Sequence, residues 1–377
     1  MLASTHSTSA AIGAPIDNGR YQMTIRLLDF GQVQPLRSLA IFHGVGYAMR
    51  EDTPDTITIT RPLEPFVSIG HHQDARTEVD LDFCREAGVP VYRREIGGGA
   101  VYLDEGQTFW HTIFHVSRVP STLADVYTKF LAGPVLALNR MGIPAVHRPV
   151  NDIQVDGRKI GGTGAATVGE SMIVAGSLMF DFNYELMVRV LRVPSEKFRD
   201  KMYSTMKEYL TTINRQLGDD APTREEGVEI LIDCFNEALG TEMVLDEPRP
   251  DELAAISEQE ERIASPEWLH LDGLPPSGDK VKIAEGVNVV EGVYKAPGGL
   301  VRATVAVHDG AIDGILLSGD FFMEPAESLH DLQDALVGIE HHEDAVLRVV
   351  KATLDKVDAP GLDATDITAA VMATPQT

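Results

Sequence analysis

The stretch IQVDGRKIGG, Ile153–Gly162, constrains the fold more than any other part of the chain. An Asp-Gly pair between two β-prone runs is the strongest short-range signal of a two-residue hairpin. Asp156–Gly157 therefore predicts a turn, and Lys159 opens the returning strand. Gly161, Gly162 and Gly164 then strip side chains from that strand, and MIVAGSLMF, Met172–Phe180, returns as another apolar strand broken by Gly176–Ser177. Glycine weakens a strand interior, so its presence marks a bulge or a place where something approaches the backbone closely. A lysine alone on a hairpin reads as a solvated cation. A lysine beside this much bare backbone reads as one that meets a ligand.

A second bare place lies upstream in VYRREIGGGAVYLDEGQT, Val91–Thr108. Arg93 and Arg94 end a predicted strand, Gly97, Gly98 and Gly99 follow, and Ala100–Val101 resume the β pattern. Three glycines alone could be a flexible turn. With two arginines before them they suit an anion, because bare N–H groups can converge on phosphate oxygens while a guanidinium supplies charge. No Gly-Lys-Ser/Thr follows at Walker spacing, and Gly162-Thr163-Gly164 lacks the strand-to-helix setting of a dinucleotide site.

Between these stretches, TITITRP (Thr56–Pro62), VPVYRRE (Val89–Glu95) and TFWHTIFHV (Thr108–Val116) predict strands. Helices are predicted over residues 121–142, 194–218 and 223–240 from capping residues, apolar faces and terminal glycines. The charged stretch 246–280 leads to a linker at 273–279. Beyond it, turn signals at Pro297-Gly298-Gly299 and Asp309-Gly310 predict a small antiparallel sheet, closed by helices over 327–336 and 343–356. The chain divides into an N-terminal tail (1–22), a large domain (23–272), the linker (273–279) and a C-terminal domain (280–377).

Composition narrows the function. Asp and Glu total 57 against 32 Lys and Arg, a net charge of -25, which repels nucleic acid over most of the surface. The start MLASTHSTSAAIGAPIDNG is neither a signal peptide nor a membrane span. A cytoplasmic, non-membrane protein is expected. The 2 cysteines, Cys84 and Cys234, lie in helix-like surroundings with no disulfide or zinc spacing. They read as core residues.

The glycine stretches together carry a resemblance. RREIGGGAVYLDEG resembles the Arg-Arg-x-x-Gly-Gly-Gly-x-Val-x-x-Asp-x-Gly motif of the lipoate-protein ligase family, and NDIQVDGRKIGG resembles that family's Asn-Asp-x-x-Val-Asp-Gly-Arg-Lys-x-x-Gly motif. IGHHQDA, Ile69–Ala75, is similar to its Ile-Gly-x-x-Gln loop, and GDFF, Gly319–Phe322, to its accessory domain. The resemblance implies an α+β fold: a large, mainly antiparallel sheet domain flanked by helices, and a small C-terminal α+β accessory domain. It implies ATP-dependent activation of lipoate to lipoyl-AMP, then transfer to a lysine of a lipoyl carrier. That carrier would be a 2-oxoacid dehydrogenase acyltransferase domain, a glycine-cleavage H protein or an H-like carrier of sulfur oxidation. Lys159 would be catalytic, touching both anions as charge moves. Arg93, Arg94, Gly97, Gly98, Gly99, Ala100 and Val101 would line the adenylate, with Gly162, Thr163, Gly176 and Ser177 across from them. Asn151 and Asp152 would hold the adenylate or its metal, Asp152 being the candidate for Mg2+. His72 belongs to the loop near the acyl chain, where a structural histidine is an equal reading. A monomer is expected.

Four residues at three places depart from the family pattern: Leu103, Gly161 with Ala165, and Ala175 each stand where relatives carry polar groups. They bear on acyl-chain preference and carrier docking rather than on reaction type. Two competing readings stand beside the ligase. An octanoyltransferase of the same fold needs an activated thiol near the lysine, and neither cysteine lies in the motifs. A non-catalytic lipoate sensor would be expected to have lost the lysine or the arginines.

Overall fold

The computed structural model describes residues 16–17, 20–21, 24–193, 195–270 and 287–373. The predicted linker 273–279 lies outside the described residues, as does most of the predicted tail 1–22.

Among the described residues the organising element is an eight-stranded sheet. Its order is Val244–Leu245, Arg26–Val33, Thr56–Pro62, Gln107–His115, Ser171–Met179, Arg158–Val168, Asp152–Val155 and Val146–Arg148. The first three strands run parallel, and every later pairing is antiparallel. Alternation along each strand sends residues to two different cores. Ile57, Ile59, Trp110, Phe114 and Val174 face the helices Leu123–Arg140 and Arg224–Leu239. Phe109, Ile113, Ala166 and Ile173 face the helices Pro35–Tyr47 and Pro250–Ala264. Each fully buried side chain of this size contributes about 1.5–3 kcal/mol. The sheet is therefore held from both sides and forms the rigid floor of the site.

A small three-stranded sheet, Val91–Arg93, Phe66–Ile69 and Val101–Leu103, stands beside the large one and carries the first glycine loop. The C-terminal residues form a separate antiparallel sheet, Val287–Ala296, Gly299–His308 and Ala311–Gly319, with its own apolar core against Ser328–Leu336 and Glu343–Leu354. The molecule is α+β, as the resemblance implied.

Three elements differ from the sequence expectation. The helix expected over 194–218 divides into Glu196–Tyr209 and Ile213–Leu217. The chain leaves the helix at Leu210 to pair beside Lys159, and the Thr212 side chain caps the second helix through the Arg215 N–H. The charged stretch before the linker contains the helix Pro250–Ala264, whose buried positions are Glu252, Ile256, Gln259 and Ile263. Half of that face is polar, which hides the helical period; Glu252 is buried because Arg26 pairs with it at 2.8 Å. A further helix, Ala364–Met372, packs on the C-terminal sheet in addition to the two expected.

Candidate active site

The Asp-Gly turn forms as the sequence demands, with Asp156 at φ 49° and Gly157 at φ 74°, the conformation of a two-residue hairpin with both central residues left-handed. It places Lys159 on the strand Arg158–Val168, opposite Asp152–Val155. The Lys159 Nζ lies 2.7 Å from Asp152 Oδ1, and Tyr209 donates its hydroxyl to the other oxygen at 3.2 Å. Where the helix breaks, Thr211 N–H donates to the Lys159 carbonyl at 2.9 Å. The break thus clamps the lysine backbone while its side chain stays partly exposed. The Lys159 side chain lies across the bare backbone of Gly162, where a Cβ would be 2.8 Å from Lys159 Cε and 3.0 Å from Nζ. The missing side chain is the lane along which the ammonium lies.

Arg94 organises the other wall. Its guanidinium donates to the carbonyls of Gly97 and Gly99, each at 2.8 Å, and to Ser68 O at 2.9 Å. Burial pushes it down to about 10, so it stays charged at neutral pH. In a planar trans peptide the carbonyl and the following N–H point oppositely. With the carbonyls of Gly97 and Gly99 drawn under the loop, the N–H groups of Gly98 and Ala100 are presented on its far side. Gly98 N–H indeed meets an acceptor there, Phe321 O of the C-terminal domain, at 3.2 Å. The loop is an N–H cradle, and Arg94 shapes it from below.

Arg93 is wholly engaged with backbone. It donates to Gly70 O at 3.2 Å, His71 O at 2.5 Å and Leu269 O at 2.7 Å. It ties the Ile-Gly-His-His loop to the end of the large domain. Sequence reasoning placed both arginines on the ligand; in this arrangement Arg93 braces the wall and Arg94 forms its underside.

The site residues of the glycine strands divide between two faces. Gly162, Gly164 and Ala166 share the face of Ile96 and Phe322; a Cβ on Gly164 would fall 2.5 Å from Ile96 Cγ2. Thr163 and Gly176 turn the other way. Gly176 lies under the Trp110 indole, where a Cβ would be 2.7 Å from Cε2, and Thr163 donates its hydroxyl to Asn151 O at 2.7 Å. Asn151 returns a short hydrogen bond from Nδ2 to Thr163 O, which locks the hairpin base. Ser177 donates to Gln107 Oε1 at 3.3 Å. Ala100 is half-buried and Val101 exposed at the loop's exit. His72 is buried and stacks on Phe321 with centroids 5.2 Å apart. Burial first, then neighbouring His71 and Arg93, push it down to about 3, so it is neutral.

Sequence reasoning missed several contributors. Tyr209 lies far from the motifs in sequence, and only the Thr211–Thr212 pair with its capping potential hinted at the break that delivers it. Phe322 fills the crevice between Gly98 and Gly164: it would lie 2.9 Å from a Cβ on the first and 3.6 Å from one on the second. Among the described residues no three His, Cys, Asp or Glu side chains converge on a metal position. The two cysteines are buried in apolar clusters, Cys84 under the small sheet and Cys234 in the helical core. Burial, then Asp80, pushes the Cys84 thiol up to about 11.

Two antiparallel glycine strands carry a partly exposed lysine, and the glycine loop lies against Phe321 and Phe322 of the C-terminal sheet domain; the arrangement is neither a Walker nor a Rossmann one. Residues 34–236 match the model of the lipoyl protein ligase A/B catalytic domain, more than half of the chain, and residues 291–370 match that of the bacterial lipoate protein ligase C-terminus. The chain belongs to the lipoyl protein ligase A/B family. It is 26% identical over 291 residues to lipoate-protein ligase LplJ of Bacillus subtilis, covering 76% of this chain and 82% of that one. It is also 26% identical over 270 residues to octanoyltransferase LipM of Kyrpidia tusciae, covering 65% of this chain and 98% of that one. Among solved structures, P. falciparum LipL1 in complex with lipoate superposes with a TM-score of 0.67 at 14% identity, covering 89% of this chain and 95% of that one. That likeness extends the fold agreement across most of the molecule.

Proposed function

We propose that this protein is an ATP-dependent lipoate-protein ligase. In the first step a lipoate carboxylate oxygen attacks the α-phosphorus of ATP. The P–O bond to the bridging oxygen breaks, and pyrophosphate leaves with that electron pair. In the second step a carrier lysine amine attacks the acyl carbon of lipoyl-AMP, AMP departs, and the amine gives up a proton. The observation that carries this reading is Lys159, whose ammonium lies in the lane left by Gly162 and whose side chain is 28% exposed. Two anions must be brought together in the first step, and a fixed cation touching both offsets their repulsion as charge develops. The bond to Asp152 holds it there between turnovers. The Ala100 N–H supplies a fixed dipole for the phosphate, and the Gly98 N–H would join it once its bond to Phe321 O is given up. Mg2+ bound mainly by phosphate oxygens and water needs only one or two protein carboxylates, and Asp152 fits that role; the ion would screen the phosphates.

The thiol-dependent transferase reading is weaker. Its nucleophile must be a thiolate near the lysine, and burial holds Cys84 far from that form. The carrier is expected to present its lysine at the open edge formed by Val146–Arg148 and Tyr209, the latter 46% exposed. Mixing the protein with lipoate and Mg-ATP without carrier tests the first step: pyrophosphate release with enzyme-bound lipoyl-AMP is expected. No adenylate, with acyl transfer from an octanoyl-carrier instead, would overturn the ligase in favour of the transferase.

A further inference from the structure

Glu95 sits between Arg94 and the glycine loop, at a position the motif leaves unspecified. Its carboxylate accepts the Tyr47 hydroxyl at 2.7 Å and a short ion pair from Arg262, with the Glu95 side chain only 12% exposed. Its backbone N–H donates to His43 Nε2 at 3.1 Å, while His43 Nδ1 lies 2.8 Å from Leu39 O. Those two contacts fix the tautomer: Nδ1 carries the proton and Nε2 accepts. Arg262 stacks on Trp268 at 3.8 Å, and the Trp268 indole donates to Arg93 O at 3.0 Å. The peptide preceding the loop is thus gripped from outside by the helices Pro35–Tyr47, Pro250–Ala264 and Pro266–His270. From inside, Arg94 holds the loop carbonyls.

We propose that Glu95 is a positioning residue of the adenylation step. It anchors the root of the Gly97–Gly99 loop and so fixes where the loop backbone, the Ala100 N–H included, meets the substrate anion. The proposal rests on the ligase reading above. A carboxylate so close to an anion cradle would repel phosphate by itself. Arg262 neutralises it, so the pair holds the loop without adding net charge. The arrangement has a signature that a purely structural ion pair lacks. Removing Arg262 alone leaves an uncompensated carboxylate beside the cradle, and removing the charge of Glu95 as well relieves that repulsion.

The test uses the full chain as Glu95→Gln, Arg262→Met and the double variant, with melting temperatures recorded. Two measurements are made: KM for ATP in the lipoate-dependent release of pyrophosphate, and hydrogen exchange of the amides from Gly97 to Ala100. Loss of one charge-assisted hydrogen bond corresponds to about a tenfold change. Arg262→Met should raise KM about tenfold with kcat changed less than about threefold. The double variant should recover part of that loss. Glu95→Gln should speed exchange of the loop amides about tenfold, while amides of Ser171–Met179 stay unchanged. Unchanged loop exchange overturns the proposal, and so does faster exchange with KM unmoved, or a double variant worse than Arg262→Met. If the wild type releases no pyrophosphate with lipoate and ATP, the ligase reading fails. Loop exchange then decides the anchor alone.

Discussion

Gly70 is the glycine on which the site geometry depends most. It begins the Ile-Gly-His-His loop, donates its N–H to Gln73 Oε1 at 3.0 Å, and faces the Gly97–Gly99 loop across a gap with no room for a methyl group. A Cβ at position 70 would run into the Gly98 carbonyl oxygen, with the Gly98 carbonyl carbon at 2.9 Å and the Gly97 carbonyl carbon at 3.2 Å. Carbon pairs at rest sit about 3.5–4.0 Å apart. In Gly70→Ala the cradle must therefore retreat by roughly half an ångström at the carbon and more at the oxygen. A misplacement near 1 Å costs about 100-fold in rate where catalysis rests on positioning, and the overpacking itself costs about 1–3 kcal/mol. Stability and activity are separated by a partner variant, Gly133→Ala. Its Cβ would lie 2.5 Å from Phe235 Cδ1, in the core on the opposite face of the sheet. Thermal melts and steady-state lipoylation of a carrier domain give the comparison. Both variants should melt lower, and only Gly70→Ala should lose about 100-fold in kcat/KM. A Gly70→Ala enzyme within threefold of wild type would refute the claim that the cradle's position limits the reaction.

The double variant Cys84→Ala/Cys234→Ala should keep lipoylation within about threefold, measured by carrier mass; loss of activity at unchanged melting temperature would point to a thiol intermediate. Asp152→Asn removes the carboxylate that holds Lys159 at 2.7 Å and should lower kcat/KM about tenfold, with weaker Mg2+ dependence in a metal titration; an unchanged Mg2+ requirement would remove Asp152 from the metal. His72 is pushed down to about 3 when folded, against about 6.5 in the unfolded chain, so only the unfolded state takes up a proton as pH falls below about 6.5. Its contribution to stability is therefore complete above pH 6.5 and is lost as pH drops towards 3. Relative to His72→Phe, the wild type should lose stability between pH 7 and pH 5, by up to about 1.4 kcal/mol per unit; parallel melting curves against pH would contradict this burial.

Much of the site was legible because its chemistry is local. The Asp156–Gly157 turn dictates its hairpin, the hairpin places Lys159, and the bare Gly97–Gly99 backbone folds as a loop over the Arg94 guanidinium. What was not legible depends on packing between distant segments. No local pattern tells Thr163 and Gly176 from Gly162 and Gly164, since strand alternation sets their faces only once the register with Trp110 is known. Arg93 and Arg94 are adjacent and alike in sequence, yet one reaches carbonyls of residues 70, 71 and 269 and the other curls under its own loop. The helix Pro250–Ala264 was hidden because its buried face includes Glu252 and Gln259, and the burial of Glu252 makes sense only with Arg26 opposite. Tyr209 reaches Asp152 from a helix that ends for a tertiary reason, the pairing of Leu210 beside Lys159.

The central claim is that Lys159 drives adenylation of lipoate by ATP before transfer to a carrier. The most direct measurement is the intact mass of a purified apo lipoyl domain after incubation with lipoate, Mg-ATP and either wild-type protein or Lys159→Ala. The account predicts a single lipoyl adduct that requires ATP, and a rate lowered about 100- to 1,000-fold in the variant, as expected for loss of a fixed charge at the developing transition state. Lipoylation without ATP, or at an undiminished rate by the Lys159→Ala variant, would contradict it.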